Sequence, residues 1–229
     1  LDTGNNNFLL TLLKGNYWPY GWNFDYKIPT GRFGNGRVFT DIVAEGLGIK
    51  RLVPAYSKIR RIASEDLKTG VCFASGGSGI DDLTSRTLEL YDLGARKFAV
   101  LGVMPVGCLP LHRAIFGGVF GWCNFFLNKV TEDFNRKLQK GLTSYAVEYD
   151  FKDAKFVYVD MYGKLMDLVN HPKAYGFLEE RKACCCMPNA IIPCFNPDKH
   201  VFYDFAHPSQ KAYEVISKPL VYQIAKGLT

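Results

Sequence analysis

The residues best placed to do chemistry are Asp204 and His207, in the run Asp204-Phe205-Ala206-His207-Pro208. A carboxylate three residues ahead of a histidine can fold back onto the imidazole and fix its tautomer. It can then stabilise the imidazolium that forms when the ring takes a proton from a nucleophile. Pro208 suits the first turn of a following helix, which would put His207 at a rigid loop-to-helix junction. The same spacing also describes an aspartate that caps the helix beside a surface histidine. A second pattern is Ser75-Gly76-Gly77-Ser78-Gly79, where small residues would let backbone N–H groups approach a ligand oxygen closely. No Lys-Ser/Thr pair follows, which argues against a phosphate loop. Ile80 stands where the last glycine of a G-x-S-x-G nucleophile elbow belongs. An oxyanion site at Gly76, a plain tight turn, and Ser78 as a substitute nucleophile are the readings left by this segment.

Elements must position these residues. Gly70 to Ala74 reads as a short buried strand running into the glycine-rich turn. Thr84 to Lys97 reads as a helix with Leu88, Tyr91 and Leu93 inward and Gly94 as its stop. Lys97 to Val103 is a continuous apolar strand of the kind found inside parallel sheets. A long helix is expected from about Asn124 to Tyr149, because Phe125, Leu127, Val130, Phe134, Leu138, Leu142 and Tyr145 recur at three or four. Lys155 to Asp160 is a second apolar strand, Leu165 to Val169 begins a short helix, and Ser209 to Lys226 makes the last one. Thr40 to Leu47 also shows helical spacing. The stretch from Asn16 to Asn35 is rich in aromatics, Gly and Pro and reads as an ordered loop, with Tyr17 to Tyr26 either lining an acyl groove or packing in the core. Strands alternating with helices argue one α/β domain over residues 1–229 with a parallel sheet, whose function sits at the carboxyl ends of its strands.

Composition narrows the classes. The 229 residues are 48% hydrophobic and 22% charged, as in a soluble globular protein. The net charge of +6 is spread out. Its densest group, Lys50, Arg51, Lys58, Arg60 and Arg61, lacks the aromatic interleaving of a nucleic-acid surface and reads as a solvated basic face. Attraction to anionic surfaces, such as wall acids or lipid headgroups, stays open. The longest apolar stretch, Phe98 to Leu111, is broken by Pro105 and Pro110 and is too short for a transmembrane segment. Of seven cysteines, Cys184, Cys185, Cys186 and Cys194 crowd one loop and Cys108 and Cys123 bracket another. The spacing supports no metal site and reads as disulfides of an oxidising compartment, with Cys72 the free buried thiol.

Five ordered segments resemble the plant GDSL esterase/lipase family of the SGNH hydrolase superfamily. Leu1-Asp2-Thr3-Gly4-Asn5-Asn6-Asn7 is similar to the tail of its first block. Gly31 to Arg37 is similar to its Gly-Arg-Phe-Ser-Asn-Gly-Arg segment, and Cys72 to Ile80 to its second block. Leu93 to Lys97 with Pro105 to Pro110 resembles the fourth block, and Asp204 to Pro208 the fifth. In wording the chain resembles the extracellular lipases of pollen coats and related shoot and flower enzymes. The resemblance implies a flavodoxin-like three-layer α/β/α sandwich (SGNH hydrolase fold) and serine-type hydrolysis of carboxylic esters, on a lipid or other small acyl substrate. His207 would be general base and then acid, Asp204 would orient it, and the Gly76 N–H would hold the oxyanion with the serine N–H and an asparagine. It also implies secretion and no cofactor or metal.

Two departures bear on activity. The family's nucleophilic serine would lie two residues before Leu1. The Gly-x-Asn-Asp block expected between the second and fourth segments is missing, as if a β-α stretch were cut out near Leu88. Because loss of a serine nucleophile costs on the order of 10⁶ in turnover, the 229 residues as written are expected to be inactive. The alternative function is that of a catalytically silent protein that binds lipid or acylated wall polymer.

Overall fold

A computed structural model of the chain describes residues 1–61, 67–76, 91–148, 151, 153–187 and 192–229. Among them are two parallel strand pairs. β1 (Lys97–Leu101) runs beside β2 (Lys155–Val159) in a register that sets Lys97 opposite Lys155 and Leu101 opposite Val159. β3 (Glu179–Ala183) runs beside β4 (His200–Phe202). Helices α1 (Phe39–Gly46), α2 (Pro110–Phe116), α3 (Phe125–Glu148), α4 (Met161–Asn170) and α5 (Gln210–Leu228) pack around them. Helices and parallel strands place the chain in the α/β class, as its alternating pattern predicts.

The core lies where α5 meets β2, β4 and α1. Along α5, Ala212, Tyr213, Ile216, Leu220 and Ile224 recur at helical spacing and are all buried. They face Val157 and Val159 of β2, Val201 and Phe202 of β4, and Phe39 of α1. Ser209 starts α5 by accepting a hydrogen bond from the Ala212 N–H, a side-chain cap of ordinary helix N-termini. Burying this stripe fixes the one end of α5 that matters here, since His207 stands two residues ahead of its cap.

Three expectations are corrected. Gly70 to Ala74 is not a strand: a single parallel bridge joins Cys72 to Ala55. The bridge bonds are made, with the Tyr56 N–H donating to the Cys72 carbonyl and the Cys72 N–H to that of Pro54, and the Asn5 amide adds bonds to the Cys72 and Ala74 carbonyls at 2.7 and 2.8 Å. The inward face of α3 is also different. Phe125 and Val130 are exposed, and among the described residues the buried positions are Asn128, Thr131 and Asn135. Asn135 bonds both the N–H and the C=O of Val103, and Asn128 accepts the Gly107 N–H, so this helix clamps the loop after β1 by amide side chains. Leu93 is exposed instead of inward. Most of the helix expected from Thr84 to Lys97 lies outside the described residues; Gly94, at φ 100°, does supply the stop. The pair β3–β4 is an addition, hidden in the sequence by the polar run Glu179-Glu180-Arg181-Lys182.

The cysteines pair as disulfides: Cys108 with Cys123, Cys184 with Cys194, and Cys185 with Cys186, leaving Cys72 free and buried. The loop that they close is tied to β4, with the Cys184 and Cys185 N–H groups donating to the Phe202 and Tyr203 carbonyls. Among the described residues, no helix is long and apolar enough to cross a membrane.

Candidate active site

The site grows from the carboxyl end of β4. After Phe202 the chain turns back on itself, bridging Phe202 to Pro208, while the Tyr203 N–H donates to the His207 carbonyl and the Ser209 N–H to that of Val201. This tight loop holds Asp204 inside, fully buried. Its Oδ1 accepts the N–H groups of Ala206 and His207 at 2.8 and 2.7 Å, so the carboxylate braces its own loop. Both oxygens stand 2.9 Å from His207 Nδ1. Oδ2 also accepts the Tyr20 hydroxyl at 2.9 Å.

Electrostatics follow from these partners. Burial by itself pushes the Asp204 carboxyl up. The charge on His207 and the hydrogen bonds from His207, Ala206 and Tyr20 outweigh it and hold the group below the ordinary carboxylate range. The Tyr20 phenol is driven far up, first by its own burial and then by the Asp204 charge. Tyr20 therefore stays a donor, and Asp204 stays an acceptor. An acceptor-only carboxylate at Nδ1 means that Nδ1 carries the imidazole hydrogen, which leaves Nε2 as the lone-pair nitrogen. Among the described residues Nε2 makes no hydrogen bond, and the His207 side chain is 25% exposed. The arrangement can take a proton at a partly open face and stabilise the resulting cation from behind.

The ring is fixed from the side by Phe33, stacked at 4.9 Å between centroids and 17° between planes. Phe33 belongs to the Gly31 to Arg37 segment, and the fold gives each part of that segment a task. Gly31 has φ 100°, and a Cβ there would stand 2.2 Å from the Asn7 Oδ1. Arg32 forms a buried two-pronged ion pair with Asp41 at 2.7 and 2.8 Å, anchoring the segment to α1. Asn35 Oδ1 accepts the Gln210 N–H at the start of α5, and Gln210 Oε1 accepts the Arg37 N–H. The loop that carries Phe33 and the helix that follows His207 are thus locked together.

Gly76 also lies against Phe33, since a Cβ on it would meet that ring at 2.9 Å. Its N–H, the expected oxyanion donor, is bonded to Asp2 Oδ2 at 3.2 Å, and its carbonyl accepts the Asn6 amide. The Ser75 hydroxyl donates to Asn6 Oδ1. Ser78 lies outside the described residues. Asp204 and His207 are brought into contact, then, with Gly76 one ring away. The alternative of an aspartate capping the helix does not hold, because Ser209 is the cap of α5. Sequence reading missed Tyr20 and Phe33 as parts of the site. Phe33 lay in the Gly31 to Arg37 segment without a role assigned to it, and the aromatic content of the loop from Asn16 to Asn35 did not distinguish Tyr20 from Tyr17, Trp18 or Tyr26, which are exposed.

A parallel-stranded α/β domain with a buried acid behind a histidine at a strand end is the frame of a hydrolase. The family model for GDSL-like Lipase/Acylhydrolase matches residues 80–220, a stretch that includes Asp204 and His207, and the chain belongs to that family. The chain is 67% identical over 305 aligned residues to the GDSL esterase/lipase EXL6 of Arabidopsis thaliana, covering all of this chain and 89% of the relative. It is 47% identical to the GDSL esterases/lipases EXL5 and EXL4 of the same plant, again over all of this chain and 89% of each relative. The chemistry of the family is the hydrolysis of carboxylic esters.

Proposed function

We propose that Asp204 and His207 are the acid–base half of a serine-type ester hydrolysis site, with His207 Nε2 as the atom that takes the proton of the nucleophilic hydroxyl. One observation carries this reading: a buried carboxylate holds Nδ1 while Nε2 is left unbonded among the described residues at a partly open surface. Asp204 keeps the ring in the productive tautomer, and Phe33 keeps it in one plane. The nucleophile is assigned to a Gly-Asp-Ser segment continuing the Asp2-Thr3-Gly4 motif on its amino side. A second segment, near Leu88, is assigned to the interior. Its support is that the alignment with the first relative runs over 305 positions while the chain supplies 229 residues. On this reading the 229 residues alone turn esters over poorly or not at all.

The test compares the 229-residue chain with a restored form that carries both segments from the 67%-identical relative, assayed on p-nitrophenyl butyrate. Turnover in the restored form, lost in its His207→Ala variant, is the expected result. A folded restored form without turnover, or one indifferent to His207→Ala, would overturn it. A second reading, a silent protein that binds lipid or acylated wall polymer, draws on the Gly76 N–H, whose bond to Asp2 takes up the expected oxyanion donor. That reading predicts no turnover in the restored form and retained binding of acyl probes.

The substrate side is a small-molecule or lipid ester. Peripheral contact with a lipid surface is supported by exposed Ile115, Phe116, Val119, Phe120, Trp122 and Phe125 around the turn between α2 and α3. Secretion is supported by the three disulfides, which persist in oxidising compartments.

A further inference from the structure

Two cavities share a wall made by Arg113 of α2 and Arg181 of β3, outside the Asp204–His207 site. One, of about 320 Å³, is bounded by Ala114, Val119, Phe120 and Met187; the other, of about 810 Å³, by Trp122, Met166 and Val169. Small-ligand sites span roughly 300–1,000 Å³ and are mostly apolar with a few placed polar groups, which describes both.

The polar groups are cationic. Arg113 is 5% exposed, its Nε donates to the Cys108 carbonyl at 2.7 Å, and its Nη1 donates to the Gly121 carbonyl at 2.9 Å. Its Nη2 makes no hydrogen bond among the described residues. Arg113 lines both cavities, so the unspent edge of its guanidinium is available to a bound anion as a charge-assisted donor. Arg181 lies 5.2 Å from the Trp122 ring centre and donates to the Phe120 carbonyl, joining β3 to the turn between α2 and α3. Lys182 and Lys173 add positive charge to the walls, and Glu180 is the one carboxylate among the lining residues. It is paired with Arg181 at 3.0 Å. Glu179 also acts on Arg113, so two carboxylates temper the positive charge and suit the site to a monoanion better than to a dianionic phosphate. Planar guanidinium groups present a fork of donors that matches the two oxygens of a carboxylate.

We propose that the larger of these cavities binds a long-chain carboxylic acid, its carboxylate on Arg113 and Arg181 and its chain along Trp122, Met166 and Val169. The ligand has the chemistry of an acid released by ester hydrolysis, yet the binding stands whether or not the 229 residues perform that reaction. Calorimetric titration of the 229-residue chain with decanoate below its micelle-forming concentration is the test, with decanol as the neutral control. Arg113 braces two carbonyls and its loss would disturb folding, so the variant pairs Arg181→Gln with Lys182→Gln, both on exposed side chains of β3. Saturable binding of decanoate, little binding of decanol, and a loss of about tenfold or more in the variant are expected, since charge-assisted bonds are the strong ones. Added salt should weaken decanoate binding in the unaltered chain as well. Equal binding of decanol, salt-independent decanoate binding, an unchanged affinity in the folded variant, or no saturable heat with decanoate would each overturn the proposal.

Discussion

The chain assembles the same three side-chain types twice. At the end of β4, Tyr20 and His207 both bond to Asp204; at the end of α4, Tyr175 and His171 both bond to Asp167. The Nδ1-to-carboxylate distance is 2.9 Å in both. In both, hydrogen bonds help to hold the carboxyl below its ordinary range. What separates them is water. The Asp204 side chain is 0% exposed and that of Asp167 46%; the histidines are 25% and 66% exposed. In the second set each hydrogen bond competes with solvent, and the pair lies on one helix at the i,i+4 spacing of ordinary surface ion pairs. In the first set the carboxylate has no water to fall back on, so every donor around it is fixed. Burial, and not the choice of residues, separates the proposed site from its surface counterpart.

The largest expected effect is on turnover. In the restored form, His207→Ala should lower kcat by about 10⁴–10⁶, the range for a residue that acts as a unit with its nucleophile. His171→Ala should leave it unchanged, and equal losses would erase the distinction drawn here. Next comes stability. Asp204→Ala strips the Tyr20 hydroxyl, the imidazole and two backbone N–H groups of their buried acceptor, and should cost about 3 kcal/mol or more in a denaturant titration. Asp167→Ala should leave the midpoint within error. Tyr20→Phe should cost about 1–2 kcal/mol for one lost charge-assisted bond, and Tyr175→Phe should cost nothing resolvable. The smallest effect is in pH. A carboxyl held below its unfolded value adds stability that is complete above about pH 4 and fades as pH falls through the folded value. Melting curves between neutral and acid pH should therefore steepen below about pH 4 in the unaltered chain and flatten in Asp204→Asn. Asp167→Asn should change their shape less, because solvent screens its bonds. A flat profile in the unaltered chain would mean that Asp204 gains nothing from its partners.

Legibility in the sequence followed distance along the chain. Asp204 and His207 are three apart, so their relation is local and spacing alone suggested it. Tyr20 reaches the same carboxylate from 184 residues away, and no pattern within the loop from Asn16 to Asn35 marked it. Helices and strands with continuous apolar runs were readable to within a residue or two, as with β2 and α5. Errors came where polar side chains took a place assigned to apolar ones. On α3 the buried Asn128 and Asn135 bond the main chain of the loop after β1, while Phe125 and Val130 are exposed. An amide that bonds the main chain leaves no periodicity to read. The strand pair β3–β4 was missed for a related reason: Arg181 and Lys182 are exposed, and the alternation that betrays a half-buried strand is absent.

The asparagine run has a consequence for anyone who wishes to alter the molecule. The amides of Asn5, Asn6 and Asn7 hold the chain at Leu13, Thr30, Cys72, Ala74 and Gly76 by donating to main-chain oxygens. At Leu13 and Ala74 a clamp of that kind is blind to the letters it grips. A library that randomises Leu13 and Ala74 should yield many folded members, while one that randomises the three asparagines should yield few. The variable part of this surface and its invariant part lie within one hydrogen bond of each other.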